Sequence, residues 1–282
     1  ALFDKNNFKA AQALYRKILE FPDSRVVGYA LYKIGWCAYN LRDFAKAILG
    51  LEKAVVWASR ASKEGSLLSL NREARRDLVT LYAEVGDHKK AEEYFSQFLQ
   101  QDAKSWLSEL ANELDSMGQY EKAGDLYNLL IAMDSGSEDN VVYQAHIVQG
   151  LYQLRRWSSV IEATGVLVEK YKSKLTTPLP PEHPIAKVEK TVRDAVLTQH
   201  FEYKRRPSPE AGKLVEALDK VYLSAFRQWP DSQEPQYRFA HYLLELKRNA
   251  EAAEGFTSHW EQFKLSLKEP LKEESLRNLI HA

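Results

Sequence analysis

The fold is decided by the segment Tyr29–Leu51, which reads YALYKIGWCAYNLRDFAKAILGL. Spacings of three and four residues place side chains on one face of an α-helix, so the two apolar patterns in this segment predict two helices joined at Arg42-Asp43. Small residues at Gly35 and Ala47 fall where the two helix axes must come close, since bulkier side chains there would overpack the contact. The segment therefore predicts a helical hairpin. Its patterns are Leu31-x2-Ile34-Gly35-x2-Ala38 and Phe44-x2-Ala47-x3-Leu51.

The second of these patterns recurs along the chain, and its first five copies begin 32 to 44 residues apart. One hairpin cannot bury both of its faces alone, so a period of this length predicts hairpins stacked into a solenoid. Strand-like alternation is nearly absent, which favours an all-α fold. The other copies are Phe8-x2-Ala11-x3-Tyr15, His88-x2-Ala91-x3-Phe95, Tyr120-x2-Ala123-x3-Tyr127, Trp157-x2-Val160-x3-Thr164 and Ala250-x2-Ala253-x3-Thr257.

These residues resemble the tetratricopeptide repeat family over most of residues 1–171 and again over about 233–267, most strongly at Gly86-Asp87 and Gly118-Gln119-Tyr120. The resemblance implies an all-α, right-handed α-solenoid of stacked helix-turn-helix hairpins, with about seven repeat units and a concave groove that binds protein segments. Phe21-Pro22-Asp23-Ser24 and Trp229-Pro230-Asp231-Ser232 are similar to bacterial cell-envelope members of the family, of the outer-membrane assembly lipoprotein and periplasmic coordinator types. That similarity implies a periplasmic or outer-membrane-associated protein, with the cytoplasm as the alternative.

Two stretches interrupt the period. Residues 59–70 add about ten residues, and we expect a loop or short helix that packs Leu67, Leu68 and Leu70 onto the stack. Residues 172–184 contain four prolines, which exclude a helix. The predicted organisation is a repeat array over 1–171, a proline-rich loop over 172–184 and a continuation over 185–282. We expect the continuation to hold two long helices at about 185–205 and 209–229, a repeat at 233–267 and a further helix from near Leu271. Both ends cut through a repeat, which predicts a fragment of a longer array.

Composition excludes several classes of function. The chain has 282 residues with 39 basic and 39 acidic side chains, a balance that disfavours a protein devoted to nucleic-acid phosphate or an anionic membrane. Cys37 is the only cysteine, so a disulfide framework is excluded. No Gly-rich phosphate loop occurs, and no two histidines have the helical spacing of a zinc site. We therefore predict no catalytic residues, no cofactor and no metal, with Cys37, His88 and His241 as structural side chains.

The best candidate site is an aromatic stripe formed by Tyr29, Tyr32, Trp36 and Tyr39. At about 100° per residue these side chains share one helical face, well apart from the packing face of the same helix. Tyrosine and tryptophan dominate protein-binding hot spots, so the stripe predicts a cradle for a partner peptide. The alternative is that the stripe packs against an upstream helix or a long insertion.

In the family, the face that carries the stripe lines the concave groove. The equivalent positions further along are mixed, and we include Arg76, Asn112, Gln149 and Tyr152 in the candidate peptide-binding set. Chaperone-binding members hold a peptide carboxylate with Lys, Asn and Arg. Tyr32 and Trp36 occupy the corresponding places here, which disfavours that specificity.

The favoured function is a non-catalytic protein–protein interaction scaffold. It would bind protein or peptide partners in its concave groove, as part of a larger complex. Neither nucleic acid nor direct membrane insertion is expected for this segment. One alternative is the regulatory or docking array of an enzyme whose catalytic domain lies outside this sequence. The other is an RNA-binding helical-repeat protein, for which affinity would fall steeply with salt.

Overall fold

A computed structural model of the chain describes residues 2–60, 65–98, 103–172, 175 and 177–265, together with 273, 277, 278 and 280. Within these residues the secondary structure is α-helical, with short 3₁₀ turns and no β-strand, so the predicted all-α fold is confirmed. Contacts between residues divide the chain into two compact units, Ala1–Met117 and Gly118–Ala282.

The first unit stacks helical hairpins in chain order. Helix α2 packs against α1 and α3, α3 packs against α4, and α5 packs against α6. The first helices of successive hairpins also meet, because α2 contacts α4 and α4 contacts α6. The predicted stacking of hairpins is therefore present in this unit. Its helices are α1 (Phe8–Ile18), α2 (Val27–Asn40), α3 (Phe44–Arg60), α4 (Gly65–Val85), α5 (Ala91–Phe98) and α6 (Ala103–Ser116).

Small residues bring α2 and α3 into direct backbone contact, as predicted for Gly35 and Ala47. A Cβ added to Gly35 would lie 3.0 Å from the backbone nitrogen of Leu51. Gly50, which the sequence patterns did not single out, is closer still, since a Cβ there would lie 2.6 Å from the Cα of Gly35. Only glycine fits at such a distance, so this pair sets the separation of the hairpin.

The stretch 59–70, predicted as a loop or short helix, is largely taken up by the ends of two long helices, because α3 runs on to Arg60 and α4 already begins at Gly65. The extra residues lengthen both helices, and residues 61–64 lie outside the described part of the chain. Leu70 is buried, as expected for this segment. The side chains of Leu67 and Leu68 also lie outside the described part.

The joints between paired helices use a left-handed backbone, but glycine supplies it at one joint only. Gly118 has φ 73°, whereas Arg42, Arg155 and Lys247 adopt φ between 54° and 60° with a side chain present. Gly86 has another role: a Cβ there would lie 2.6 Å from the carbonyl oxygen of Tyr82. Asn6, just before α1, has φ 57° as well, so four turns tolerate the strain of a non-glycine residue.

The second unit is also built of helices that pack in chain order. Consecutive helices pack against each other, α8 contacts α10, and α9 contacts α11. Helices α10 and α11 occupy the stretches predicted as long helices, although α11 ends at Phe226 rather than near 229. The hydroxyl of Ser208 caps α11 by accepting from the Ala211 backbone N–H at 3.1 Å. The helices are α7 (Tyr120–Met133), α8 (Asn140–Gln153), α9 (Trp157–Tyr171), α10 (Pro184–Arg205), α11 (Pro209–Phe226), α12 (Gln233–Glu245) and α13 (Asn249–Phe263).

The proline-rich segment lies inside the second unit. Its described residues 175 and 177–183 are not helical. Leu175 is buried, and its carbonyl oxygen accepts from the indole N–H of Trp229 at 2.8 Å. The predicted boundaries at 171 and 184 therefore fall within one compact unit, and their meaning as limits of repeats stays a prediction. The helix expected from near Leu271 starts outside the described residues.

The register of the last repeat differs by one residue from the sequence prediction. Ala252 and Phe256 are buried, whereas the predicted small residue Ala253 is half-exposed. The close approach is made by Gly255, where a Cβ would lie 2.9 Å from the Cβ of Ala240. The pattern Asn249-x2-Ala252-x3-Phe256 therefore describes this hairpin correctly.

Candidate functional site

The aromatic stripe lies on α2 within the first unit, and its side chains differ in exposure. Tyr29 is 49% exposed, while Tyr32, Trp36 and Tyr39 are half-buried. The rings of Trp36 and Tyr39 meet edge to face with centroids 5.3 Å apart. Because α2 buries Cys37 and Ala38 on its other side, the helix has the two separate apolar faces that the sequence predicted.

Three of the four stripe residues are held by carboxylates of α4. The hydroxyl of Tyr32 and the indole N–H of Trp36 both donate to Oδ2 of Asp77, at 2.6 Å and 3.1 Å. The hydroxyl of Tyr39 donates to Glu84 at 3.1 Å. The stripe thus faces the following hairpin, and the alternative of an upstream helix or an insertion as its partner does not hold for these contacts.

Ionisation of the tyrosines follows from this arrangement. Burial raises the pKa of Tyr32 to about 12, and its bond to Asp77 adds to the rise. For Tyr39 the bond to Glu84 is the main cause of a raised pKa. Both phenols therefore stay protonated at physiological pH and keep donating, which fixes the orientation of the rings.

An open cleft lies between α2 and α4 beside these rings, with an empty volume of about 340 Å³ that includes its mouth. Its charged lining residues are both carboxylates. We call it the α2–α4 cleft; it is lined by Gly35, Trp36, Tyr39, Leu51, Asp77, Thr80, Leu81 and Glu84.

The remaining predicted site residues are distributed over both units. Arg76 lies at the cleft: its guanidinium reaches Oδ1 of Asp77 at 3.3 Å and is otherwise exposed. Asn112 is exposed on α6 in the same unit. Gln149 and Tyr152 are half-buried on α8 in the second unit, where Tyr152 packs edge to face on Trp157. The structure therefore brings Arg76 to the stripe and places Gln149 and Tyr152 in another unit.

The sequence patterns did not single out the carboxylates Asp77 and Glu84. A signal was available. Tyr32 and Asp77 are 45 residues apart, and so are Tyr39 and Glu84. That separation is one local repeat plus one residue, as expected for the first helices of successive hairpins. The next interface shows the same relation, since Thr80 donates to Glu113 at 3.0 Å over 33 residues.

Other candidate groups are built into the core. Cys37 is buried, and burial raises the pKa of its thiol, so the reactive thiolate is disfavoured. In the second unit, Nε2 of His200 lies 2.7 Å from Oδ2 of Asp219, with both side chains shut off from solvent. Burial raises the pKa of Asp219 to about 6, although the bond to His200 opposes the rise. This pair joins α10 to α11.

The described residues contain neither a metal-binding cluster nor a helix that could span a membrane. No group of three or more His, Cys, Asp and Glu side chains is placed there to hold a metal ion. Among the helices so described, none combines the length and the apolar content that crossing a bilayer requires.

Comparison with known proteins supports a tetratricopeptide repeat in this hairpin. The family model for the tetratricopeptide repeat matches residues 29–55, which span most of α2 and α3. No curated protein matches the chain. A tetratricopeptide repeat protein from Parabacteroides merdae ATCC 43184, solved at 2.39 Å, is similar at 12% identity over 99% of this chain and 94% of that one. With a TM-score of 0.31 the two do not superpose as whole folds, and this likeness supports no further statement. The narrower similarity to cell-envelope members stays a prediction.

Proposed function

We propose that the chain is a non-catalytic scaffold that binds segments of partner proteins in the α2–α4 cleft. The observation that carries this proposal is the set of half-exposed rings of Tyr32, Trp36 and Tyr39, each held beside an open cleft by a hydrogen bond to α4. Aromatic side chains in such positions supply most of the free energy of binding at protein interfaces.

Preorganisation strengthens the argument. A side chain that is immobilised only on binding loses about 0.5–1.5 kcal/mol of conformational freedom. Here the rings of Tyr32 and Trp36 share one acceptor, Asp77, whose side chain is 10% exposed, so their orientation is set before a partner arrives. A partner segment therefore meets rigid aromatic walls rather than mobile surface side chains.

The setting of the scaffold belongs to the same proposal. The phrases Phe21-Pro22-Asp23-Ser24 and Trp229-Pro230-Asp231-Ser232 support a place in a bacterial envelope assembly, in the periplasm or at the outer membrane. Fractionation of source cells with an antibody against the chain tests this, and recovery with the cytoplasmic fraction alone would contradict it.

Peptide selection tests the binding function directly. A random dodecapeptide library displayed on phage is selected on the intact chain, and the affinity of synthetic winners is measured by fluorescence anisotropy. We expect Tyr39→Ala to weaken binding at least tenfold, or about 1.4 kcal/mol, because it removes one wall of the cleft. Phe21→Ala is the matched control, since Phe21 is a 67% exposed aromatic residue of the same unit outside the cleft lining.

Circular dichroism of both variants checks that the helices are retained. Cross-linking of a benzophenone-labelled winner, followed by mass spectrometry, should mark residues of α2 and α4. Equal affinity for wild type and Tyr39→Ala, or a library that yields no binder, would refute the proposal.

A further inference from the structure

We propose that the α2–α4 cleft takes a lysine or arginine side chain from a basic segment of the partner protein. This inference rests on the proposed function and specifies the chemistry of the occupant. It follows from three features of the first unit: the polarity of the cleft lining, the way its carboxylates are bonded, and the way the next helix interface is filled.

The cleft combines aromatic walls with negative charge. Trp36 and Tyr39 provide ring surface, and Asp77 and Glu84 are the charged residues of the lining. A cation beside a tryptophan or tyrosine ring is attracted by the ring quadrupole, and the carbon stem of a lysine or arginine packs on apolar walls. An acidic side chain would meet like charge in the same place. The lining therefore matches a basic side chain in both shape and charge.

The carboxylates of the α2–α4 cleft and of the neighbouring α4–α6 interface are bonded mainly to neutral donors. Glu84 accepts from the hydroxyl of Tyr39 and Glu113 from that of Thr80, so these bonds leave the negative charges in place. Arg76 offsets part of the charge of Asp77 by contacting Oδ1, the oxygen that Tyr32 and Trp36 do not use. The Arg76 side chain is 75% exposed, so solvent screens this contact. The net charge of the whole chain is zero, so attraction of a basic segment must come from a local group of carboxylates, namely Asp77, Glu84 and Glu113.

The stripe already holds one cation of the chain itself. The ammonium of Lys33 lies 5.3 Å from the ring centroid of Tyr29 and 5.8 Å from that of Tyr32. It also lies 4.6 Å from the ring of Phe3. The aromatic face of α2 thus accepts a positive side chain beside Tyr29 and Tyr32. The same contact between a cation and aromatic rings is proposed for the neighbouring cleft.

The next interface, between α4 and α6, holds a cation of the chain beside an aromatic ring and a carboxylate. The guanidinium of Arg75 lies 4.2 Å from the ring centroid of Trp106 and bonds Glu109 at 2.7 Å. In the repeat pattern, Leu31 of α2 occupies the position of Arg75, and Asp77 of α4 occupies that of Glu109. The acidic residue is thus retained between α2 and α4, while leucine replaces the arginine that would provide the cation. A partner supplies it in our proposal.

The probes are the dodecapeptides selected on the intact chain, each resynthesised with norleucine in place of every lysine or arginine. Norleucine keeps the carbon stem and removes the charge. We expect winners rich in lysine or arginine, and a loss of affinity of about fivefold or more on replacement. Raising the salt from about 0.05 to 0.5 M should weaken the basic peptides and leave the norleucine versions nearly unchanged.

Charge removal on the protein provides the reciprocal test. The double variant Glu84→Gln with Glu113→Gln should weaken the basic peptides about fivefold and leave the norleucine peptides within twofold. Glu92→Gln with Glu93→Gln is the control that removes the same two charges, because both residues are exposed on α5 outside the lining of the cleft. Both substituted glutamates bond hydroxyl groups that glutamine can also bind, so the fold should be retained, as circular dichroism will show.

The two proposals fail in different ways. Peptides that lose affinity on Tyr39→Ala but contain no basic residue, or that bind equally well with norleucine, would overturn the basic occupant and leave the binding site standing. Peptides whose affinity is unchanged by Tyr39→Ala would overturn the site and the occupant together. Sensitivity to Tyr39→Ala, to norleucine and to the double glutamate variant supports both.

Discussion

Substitution of Gly50 by alanine tests the contact on which the first unit is built. The new Cβ would lie 2.6 Å from the Cα and 2.7 Å from the nitrogen of Gly35, whereas ordinary contacts begin at 3.4 Å. The backbones of α2 and α3 would have to separate by about 0.8 Å, the difference between the first and last of these distances. Both obstructing atoms belong to the backbone, so no rotamer change relieves the overlap.

The magnitude follows from two opposing effects. Overpacking of a tight core costs about 1–3 kcal/mol, and the upper end applies because backbone must move. Alanine in place of glycine within a helix recovers about 1 kcal/mol. We therefore expect Gly50→Ala to lower the free energy of unfolding by about 2 kcal/mol. Gly35 also lines the α2–α4 cleft, so peptide affinity should fall in the same variant.

Gly124→Ala and Gly165→Ala are the matched controls. Both glycines are helical, and a Cβ at either would meet nothing within 4 Å. At these sites alanine changes only the helix propensity, which is higher than that of glycine. Each control should therefore raise the free energy of unfolding by about 0.5–1 kcal/mol.

Urea unfolding followed by circular dichroism at 222 nm measures these differences. The chain has two compact units that can unfold separately, so hydrogen exchange with mass spectrometry should assign each change to its helices. For Gly50→Ala the loss of protection should be centred on α2 and α3. A Gly50→Ala protein that is as stable as wild type, with unchanged protection there, would refute the backbone contact.

Two further predictions concern polar groups. Tyr32→Phe removes the 2.6 Å bond to Asp77 and should lower the free energy of unfolding by about 1–2 kcal/mol. The hydroxyl of Tyr29 has no hydrogen bond among the described contacts, so Tyr29→Phe should change that free energy by less than about 0.5 kcal/mol. Equal urea midpoints for the two variants would contradict the bond. Asp219 has a pKa of about 6 in the fold against 3.8 for the free side chain, so between these values the folded state holds the extra proton and stability should fall as pH rises. Urea titrations at pH 4, 5 and 6 should show a smaller fall in Asp219→Asn than in wild type, and parallel slopes would argue against a buried carboxyl with a raised pKa.

The hairpins of this chain could be predicted from sequence because their packing faces repeat. Gly35 and Ala47 occupy fixed places in the pattern, and both are buried at the α2–α3 contact. Gly50 was missed because it lies inside the phrase Phe44-x2-Ala47-x3-Leu51 at a position that the other copies leave open. Its role depends on the glycine that faces it, which no pattern within one helix reveals.

Short phrases outside the packing faces were less informative, as two similar ones show. Trp229 is buried, its indole N–H bonds the carbonyl of Leu175, and Ser232 donates to the carbonyl of Arg227 at 2.7 Å. Phe21, in the corresponding place, is 67% exposed. The two phrases share turn-forming residues, but the neighbouring chain determines whether the aromatic side chain becomes core or surface.

The candidate site could be predicted only in part, because it lies between repeats rather than within one. The rings were visible in α2, but their acceptors lie 41 to 45 residues away on α4. Repetition makes successive interfaces alike in backbone, so that differences between them arise from single side chains. Arginine at position 75 places a cation between α4 and α6, and leucine at the equivalent position 31 provides none between α2 and α4. In our proposal the binding site arises from the loss of one internal side chain, and such a site is found by comparing equivalent positions across the repeats of one chain.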